Sequence, residues 1–244
     1  MRILLALGGN TLLRRGEAAS AEGRRRNLEI AATTIAELAA EHQVVVTHGF
    51  DAAAAQSLEL ALRNLLPDHD VVSVLTQVVV DPRSREPNAI AEIRSLRTLV
   101  GSEALVICGG GGGIPVALNG DGTMHEVEAV VDKDLTAALL ARRLDAELLL
   151  MLTDVESVHL DQGEPNERPI NRAEPAELRR LCFAAGSMGP KVEAACRFAE
   201  ATGRRAAIGA LSEAPRIVRG EAGTQVVAGA AEPATAAARR PPRR

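Results

Sequence analysis

Short apolar runs alternate along the chain with longer segments in which apolar residues recur at helical spacing. The runs Arg2 to Leu7, Val44 to Thr47, Val71 to Val79, Ala104 to Cys108, Glu147 to Leu152 and Arg205 to Ile208 predict strands. Between them, Leu28, Ala31, Ala32, Ile35 and Leu38 keep one helical face apolar, and Leu135, Leu139 and Leu140 begin another. Alternation of this kind predicts an α/β fold with a central, mainly parallel sheet covered by helices. The stretch Ile114 to Val131 departs from it. There Asn119, Gly120, Asp121 and Gly122 form a turn cluster between Pro115-Val116-Ala117-Leu118 and Met124 to Val131, which predicts a β-hairpin at an edge of the main sheet. From Ala228 to Arg244 the chain is rich in Ala and Pro, ends in Arg239, Arg240, Arg243 and Arg244, and shows no apolar periodicity. A folded domain over 1–227 followed by a disordered basic tail over 228–244 is the expected organisation.

Composition narrows the partners. The chain is 46% apolar and 25% charged, enough for a real core, and its formal charge of −4 argues against a surface built on nucleic-acid phosphates. Trp and Tyr are absent and only Phe50, Phe183 and Phe198 could stack on bases. No run is long enough for a membrane span, and Met1 to Leu7 is too short for a signal-peptide core, so the expected partners are small molecules and the expected location is the cytoplasm. Cys108, Cys182 and Cys196 are scattered and odd in number, which predicts reduced, buried thiols and no metal centre.

Four places carry candidate chemistry. Gly8, Gly9 and Asn10 follow the first strand directly, where ligands bind in open α/β sheets, although two glycines there also make an ordinary turn. Five glycines, Gly109 to Gly113, follow the run ending at Cys108. So much glycine is entropically costly and points to close passage of backbone or ligand, with a flexible connector as the plain alternative. Asp132-Lys133-Asp134 precedes an apolar helix, with Asp132 suited to the N-cap and Lys133 to its amino end; taken alone it reads as a solvated charge cluster. Gly186-Ser187-Met188-Gly189-Pro190-Lys191 brings a glycine-bearing loop and one lysine to the start of another helix, with Pro190 at its first turn. Among 28 basic residues, Lys133 and Lys191 are the only lysines. A chain that uses Arg everywhere else has kept the compact ammonium for the two candidate phosphate loops.

The segments LLALGGNTLLRRGE, VVVTHG, LTQVVVDP, ICGGGGGIPV, EAVVDKDLTAALLA, LLMLTDVESVHL with GEPNERPI, and FAAGSMGPKVEAACRF with AIGAL resemble the carbamate kinases, in the same order and over nearly the whole chain except the tail. The resemblance implies the amino-acid-kinase fold, a three-layer sandwich with a central mainly parallel sheet, and a homodimer. It implies an acceptor half over about 1–130 and a nucleotide half over about 131–227. Gly8, Gly9 and Asn10 would meet the transferring phosphoryl group, as would the backbone N–H groups of Gly110, Gly111, Gly112 and Gly113, which with Gly49 line the acceptor site. Lys133 and Lys191 would offset phosphate charge, with Asp134 holding them by ion pairing. Thr153, Asp154, Met188, Gly189 and Lys191 would border ATP or ADP, whose phosphates magnesium would bridge.

Three departures qualify the resemblance. Carbamate kinases carry His-Gly-Asn-Gly-Pro-Gln where this chain reads His48-Gly49-Phe50-Asp51 and then four alanines, so that Asp51 either adds a carboxylate to the acceptor site or serves as a helix N-cap. The family's lid subdomain, with its lysine, is missing after Val80-Asp81-Pro82, and Arg83 to Asn88 are expected to lead directly into a helix. His159 stands where a tyrosine is usual near the nucleotide base. These features predict a phosphotransferase for a small acyl or amino acceptor that binds ADP but turns carbamoyl phosphate over very slowly. A catalytically silent, nucleotide-binding homologue with a regulatory or scaffolding role is the other reading they leave open.

Overall fold

The computed structural model describes residues 1–11, 20–160, 167–181, 183 and 188–229. In chain order the elements are β1 (Arg2–Leu7), α1 (Ala21–Ala39), β2 (Gln43–His48), α2 (Ala52–Leu65), β3 (Val71–Ser73), β4 (Gln77–Val80), β5 (Pro87–Ile90), α3 (Ile93–Gly101), β6 (Leu105–Cys108), β7 (Ile114–Leu118) and β8 (Met124–Glu126). Then follow α4 (Lys133–Arg143), β9 (Leu148–Thr153), β10 (Val158–Leu160), β11 (Arg168–Ile170), β12 (Arg172–Ala173), α5 (Pro175–Leu178), α6 (Met188–Thr202), β13 (Arg205–Ala210), α7 (Ala214–Arg219) and β14 (Thr224–Val226).

The main sheet runs β12-β14-β13-β9-β1-β2-β6-β3 and is parallel except between β13 and β14. Its central strands are apolar on both faces, as strands covered on both sides must be. On β1, Leu4 and Ala6 join the cluster that holds Leu140, Ala195 and Phe198 of α4 and α6, while Ile3, Leu5 and Leu7 join Leu28, Ile35, Leu58 and Ile217 of α1, α2 and α7. Three layers result, and the period-2 alternation of a strand creates both cores from one run.

Parallel register fixes where the loops emerge. Leu7 pairs with His48 on one side and with Leu152 on the other, so the ends of β1, β2 and β9 lie level; Gly8 and Gly49 leave the sheet together, and Thr153 closes β9 beside them. Thr47 pairs with Cys108, which brings Gly109 beside them.

Three expectations need correction. The run Val71 to Val79 is two strands in different sheets. After Ser73 the chain turns so that the Thr76 hydroxyl accepts from Gly109 N and the Thr76 carbonyl from Ile114 N, at 2.9 and 2.8 Å, and β4 then pairs with β7. For that reason the β7–β8 hairpin lies in a separate four-stranded sheet, β5-β4-β7-β8, and not at an edge of the main one. The residues after Val80 do not enter a helix directly. Asp81 Oδ1 accepts from Arg83 N and Ser84 N, Arg85 takes a positive φ of 61°, and the chain returns as β5 antiparallel to β4. Glu86, at the end of this turn, pairs with Arg197 of α6 at 2.9 Å. The expected tail lies, from residue 230 on, outside the described residues.

Asp51 is the N-cap of α2: its extended backbone and its carboxylate, which accepts from Ala54 N at 2.8 Å, satisfy a first-turn donor. Replacing Asp51 by Ala should lower unfolding stability by about 1 kcal/mol, and Asp51→Asn by much less, because the amide oxygen still caps. Urea titration of the two variants gives the comparison.

Candidate active site

The level strand ends gather glycines for reasons that distances make plain. A Cβ on Gly49 would lie 2.7 Å from Lys133 Cδ, so the lysine stem crosses the glycine backbone. A Cβ on Gly112 would lie 2.5 Å from the Val131 carbonyl oxygen, and one on Gly8 3.8 Å from Lys191 Nζ. Gly9 faces the Gly49 carbonyl. Loops from β1, β2 and β6 therefore meet the amino ends of α4 and α6, and at Gly49 and Gly112 only bare backbone fits.

Two lysines arrive from helix first turns. Asp132 caps α4, its carboxylate accepting from Asp134 N and Leu135 N at 2.8 and 2.9 Å, and this sets Lys133 at the first helical position. Lys191 lies in the first turn of α6, almost fully buried, and its ammonium donates to both oxygens of Asp134 at 3.1 Å. Burial raises the Asp134 carboxyl above the ordinary aspartate range, and the adjacent Lys191 ammonium offsets only part of that rise. Lys133 is near enough to act on Asp134 electrostatically, yet the ion pair within 4 Å belongs to Lys191. Both helix amino ends add the positive pole of their dipoles to the same spot.

The glycine loop is held from three sides. Thr136 of α4 donates its hydroxyl to the Gly112 carbonyl at 2.9 Å, Thr47 of β2 donates to the Gly109 carbonyl at 3.3 Å, and Thr76 accepts from Gly109 N. Gly109 and Gly111 are left-handed, at φ 64° and 65°. Gly112 N and Gly113 N donate within the loop, to the carbonyls of Gly109 and Gly110. Among the described residues, the N–H groups of Gly110 and Gly111 have no acceptor, and both residues are exposed. The loop thus offers a two-donor nest for an anion, narrower than the four N–H groups expected of it.

Similarity to known proteins agrees with this arrangement. The sequence profile of the Amino acid kinase family matches residues 52–210. Carbamate kinase from Rhizobium meliloti (strain 1021) is 39% identical over 92% of each chain, and that from Haemophilus influenzae is 35% identical over 93% of this chain and 96% of its own. The chain belongs to the amino acid kinase family, with the carbamate kinases. A solved structure of carbamate kinase from Giardia lamblia bound to AMP-PNP superposes with a TM-score of 0.85 at 31% identity, covering 93% of this chain and 98% of that one. The alignment with the R. meliloti carbamate kinase runs over 299 residues, more than the 244 of this chain, so that relative carries stretches with no counterpart here. The short Asp81-to-Glu86 turn agrees with such a loss.

At this site Gly8, Gly9, Gly49, Lys133, Asp134, Lys191 and the Gly110 to Gly113 loop come together, whereas the side chain of Asn10 and the residues Gly186 and Ser187 lie outside the described residues. Thr153 is buried at the end of β9 and donates its hydroxyl to Asp154 Oδ1 at 3.0 Å; Met188 and Gly189 open α6. His159, on β10, is engaged by Glu167 at 2.7 Å and by Ser157 at 3.2 Å. Thr47, Thr76 and Thr136 were missed by pattern reading. Their signal was a buried hydroxyl at the edge of an apolar run or in a helix first turn.

Pattern reading gives His48 no role of its own. It is buried at the end of β2, accepts a hydrogen bond from Phe50 N through Nδ1 at 3.2 Å, and stacks on the Phe50 ring at 5.1 Å. Burial holds its pKa below the ordinary value of 6.5.

Removing Lys191 strands a buried carboxylate, so Lys191→Ala should destabilise the fold by about 3 to 5 kcal/mol. Lys133→Ala, which breaks no close ion pair, should change stability by no more than about 0.5 kcal/mol. Denaturant titration separates the two. For His48, the unfolded chain binds the proton more readily than the folded one, so stability is complete above the ordinary histidine pKa and falls as pH drops below 6.5. His48→Gln should flatten that part of the stability–pH curve.

Proposed function

We propose that the chain moves a phosphoryl group between ATP or ADP and a small acyl acceptor of the carbamate type, at a rate reduced by its shortened acceptor side. The observation that carries this reading is the buried Lys191–Asp134 pair, with Lys133 crossing Gly49 beside it, at the one point where three strand ends and two helix amino ends converge. Phosphoryl transfer asks for positioning and charge stabilisation more than covalent help, and this constellation supplies both.

In the direction of ATP synthesis, an oxygen of the terminal phosphate of ADP attacks the phosphorus of the acyl phosphate, and the acyl oxygen leaves with its electron pair. Lys133 and Lys191 neutralise the charge spread over the transferring group, while the N–H groups of Gly110 and Gly111 fix its acceptor end. Asp134 acts on Lys191 and takes no proton. Both Asp134 oxygens accept from Lys191, so that carboxylate is engaged with the ammonium. Magnesium belongs with the nucleotide, as MgATP. The homodimer and the division into an acceptor half and a nucleotide half are part of this reading by analogy with the family.

Asp51 caps α2 through its carboxylate, which keeps its charge and acts electrostatically on the neighbouring His48. The missing lid is the larger change, because it takes away a lysine and leaves the reaction open to water. Loss of one transition-state contact of about 3 kcal/mol slows turnover on the order of a hundredfold. A coupled assay of ATP formation from MgADP and carbamoyl phosphate should therefore show slow turnover that Lys133→Ala abolishes. Asp134→Asn should reduce turnover much more than ADP affinity. Brisk turnover would contradict the reduced-rate reading, with Arg83 or Arg85 of the short turn as the first residues to examine as substitutes. ADP binding without any phosphoryl transfer to or from small acyl acceptors would favour a silent, nucleotide-binding role.

A further inference from the structure

His48 has one nitrogen whose hydrogen bonding is fixed and one that is free. Phe50 N–H donates to Nδ1, so Nδ1 carries the lone pair and the ring proton of the neutral imidazole resides on Nε2. Burial keeps the ring neutral near pH 7. Stacking on Phe50, with 26° between the planes, holds the ring's orientation. The Nε2 edge faces the glycine loop: a Cβ on Gly110 would lie 2.8 Å from Cε1 and 3.1 Å from Nε2. Among the described residues nothing accepts from Nε2, and the sealed side-chain atom left without a partner is His42 Nδ1, not His48 Nε2.

We propose that His48 contacts the acceptor, its Nε2–H joining the free N–H groups of Gly110 and Gly111 as a third donor to an oxygen of the acyl group. The inference rests on the phosphotransferase reading above and adds a residue to its acceptor side. His48 gives up no proton in this role; it is a neutral donor of fixed direction. Placement follows from the fold, because the register that levels β1, β2 and β9 sets His48 one residue before Gly49, under Lys133, while the neighbouring strand β6 delivers Gly110 against the ring. Phe50 acquires a role as well. Its backbone selects the tautomer and its ring fixes the plane, so an aromatic residue after Gly49 organises the donor.

Full-length protein labelled with nitrogen-15 at histidine, with the His48 signals assigned by comparison with His48→Gln, provides a readout that needs no turnover. In the free protein at neutral pH, His48 should show the Nε2–H tautomer. In the presence of MgADP, titration with carbamoyl phosphate should shift its Nε2–H resonance saturably, whereas the other histidines stay in place. In the kinetic arm, His48→Phe should raise KM for carbamoyl phosphate about tenfold or more while leaving the Kd for ADP unchanged, and His48→Gln should recover most of that loss, on the scale of one hydrogen bond to a charged group. The Nδ1–H tautomer, or an Nε2–H resonance indifferent to carbamoyl phosphate under saturating conditions, overturns the proposal. If the wild-type protein forms no ATP but the Nε2–H resonance still responds, the phosphotransferase reading fails and the contact stands.

Discussion

An ammonium buried against both oxygens of a buried carboxylate is the constraint around which the rest of this structure is arranged. Taking either charge out of water alone costs several kcal/mol, so Lys191 and Asp134 tolerate burial only together and only at good geometry. That requirement fixes the first turns of α4 and α6 against each other. The helices can come close because their facing residues are small: Ala137, Ala138, Ala141, Ala194, Ala195 and Ala199 all lie in the same buried cluster. With α4 so placed, Asp132 as its cap sets Lys133 over Gly49, and Thr136 reaches the Gly112 carbonyl. One electrostatic contact thus positions a second lysine and an anion-binding loop.

The parallel sheet supplies the other half of the arrangement. In a parallel sheet all chain-forward ends lie on one side, and the register of β1, β2 and β6 turns three separate glycine-bearing loops into a single surface. The glycines are there because lysine stems, an imidazole and carbonyl oxygens occupy the space that side chains would need. After β4 a six-residue turn, Asp81 to Glu86, is pinned to α6 by the pairing of Glu86 with Arg197.

Much of this was legible in the residues, and the reasons for the failures are physical. The central strands are unbroken apolar runs, so their positions came through to within a residue or two at their ends, and the two lysines stood out because every other basic residue is Arg. Val71 to Val79 misled because Val74 and Leu75 keep the run apolar across a break that only the hydrogen bonds of Thr76 reveal. Strands β10, β11, β12 and β14 have two or three residues each, too few for a period, and β14 exists because β13 offers it an edge. Which loop N–H groups are free was beyond pattern reading altogether, since the internal bonds of Gly112 and Gly113 depend on the left-handed turns at Gly109 and Gly111.

Calorimetric titration of MgADP into the wild-type protein and into Lys191→Ala, under conditions where both remain folded, tests the central claim most directly. If the buried pair presents a charge to the nucleotide phosphates, the variant should bind ADP more weakly by about 1 to 3 kcal/mol, the scale of a lost charge-assisted contact. Equal affinity in the two proteins would contradict the account, because it would make the Lys191–Asp134 pair a structural clamp with no part in holding the nucleotide.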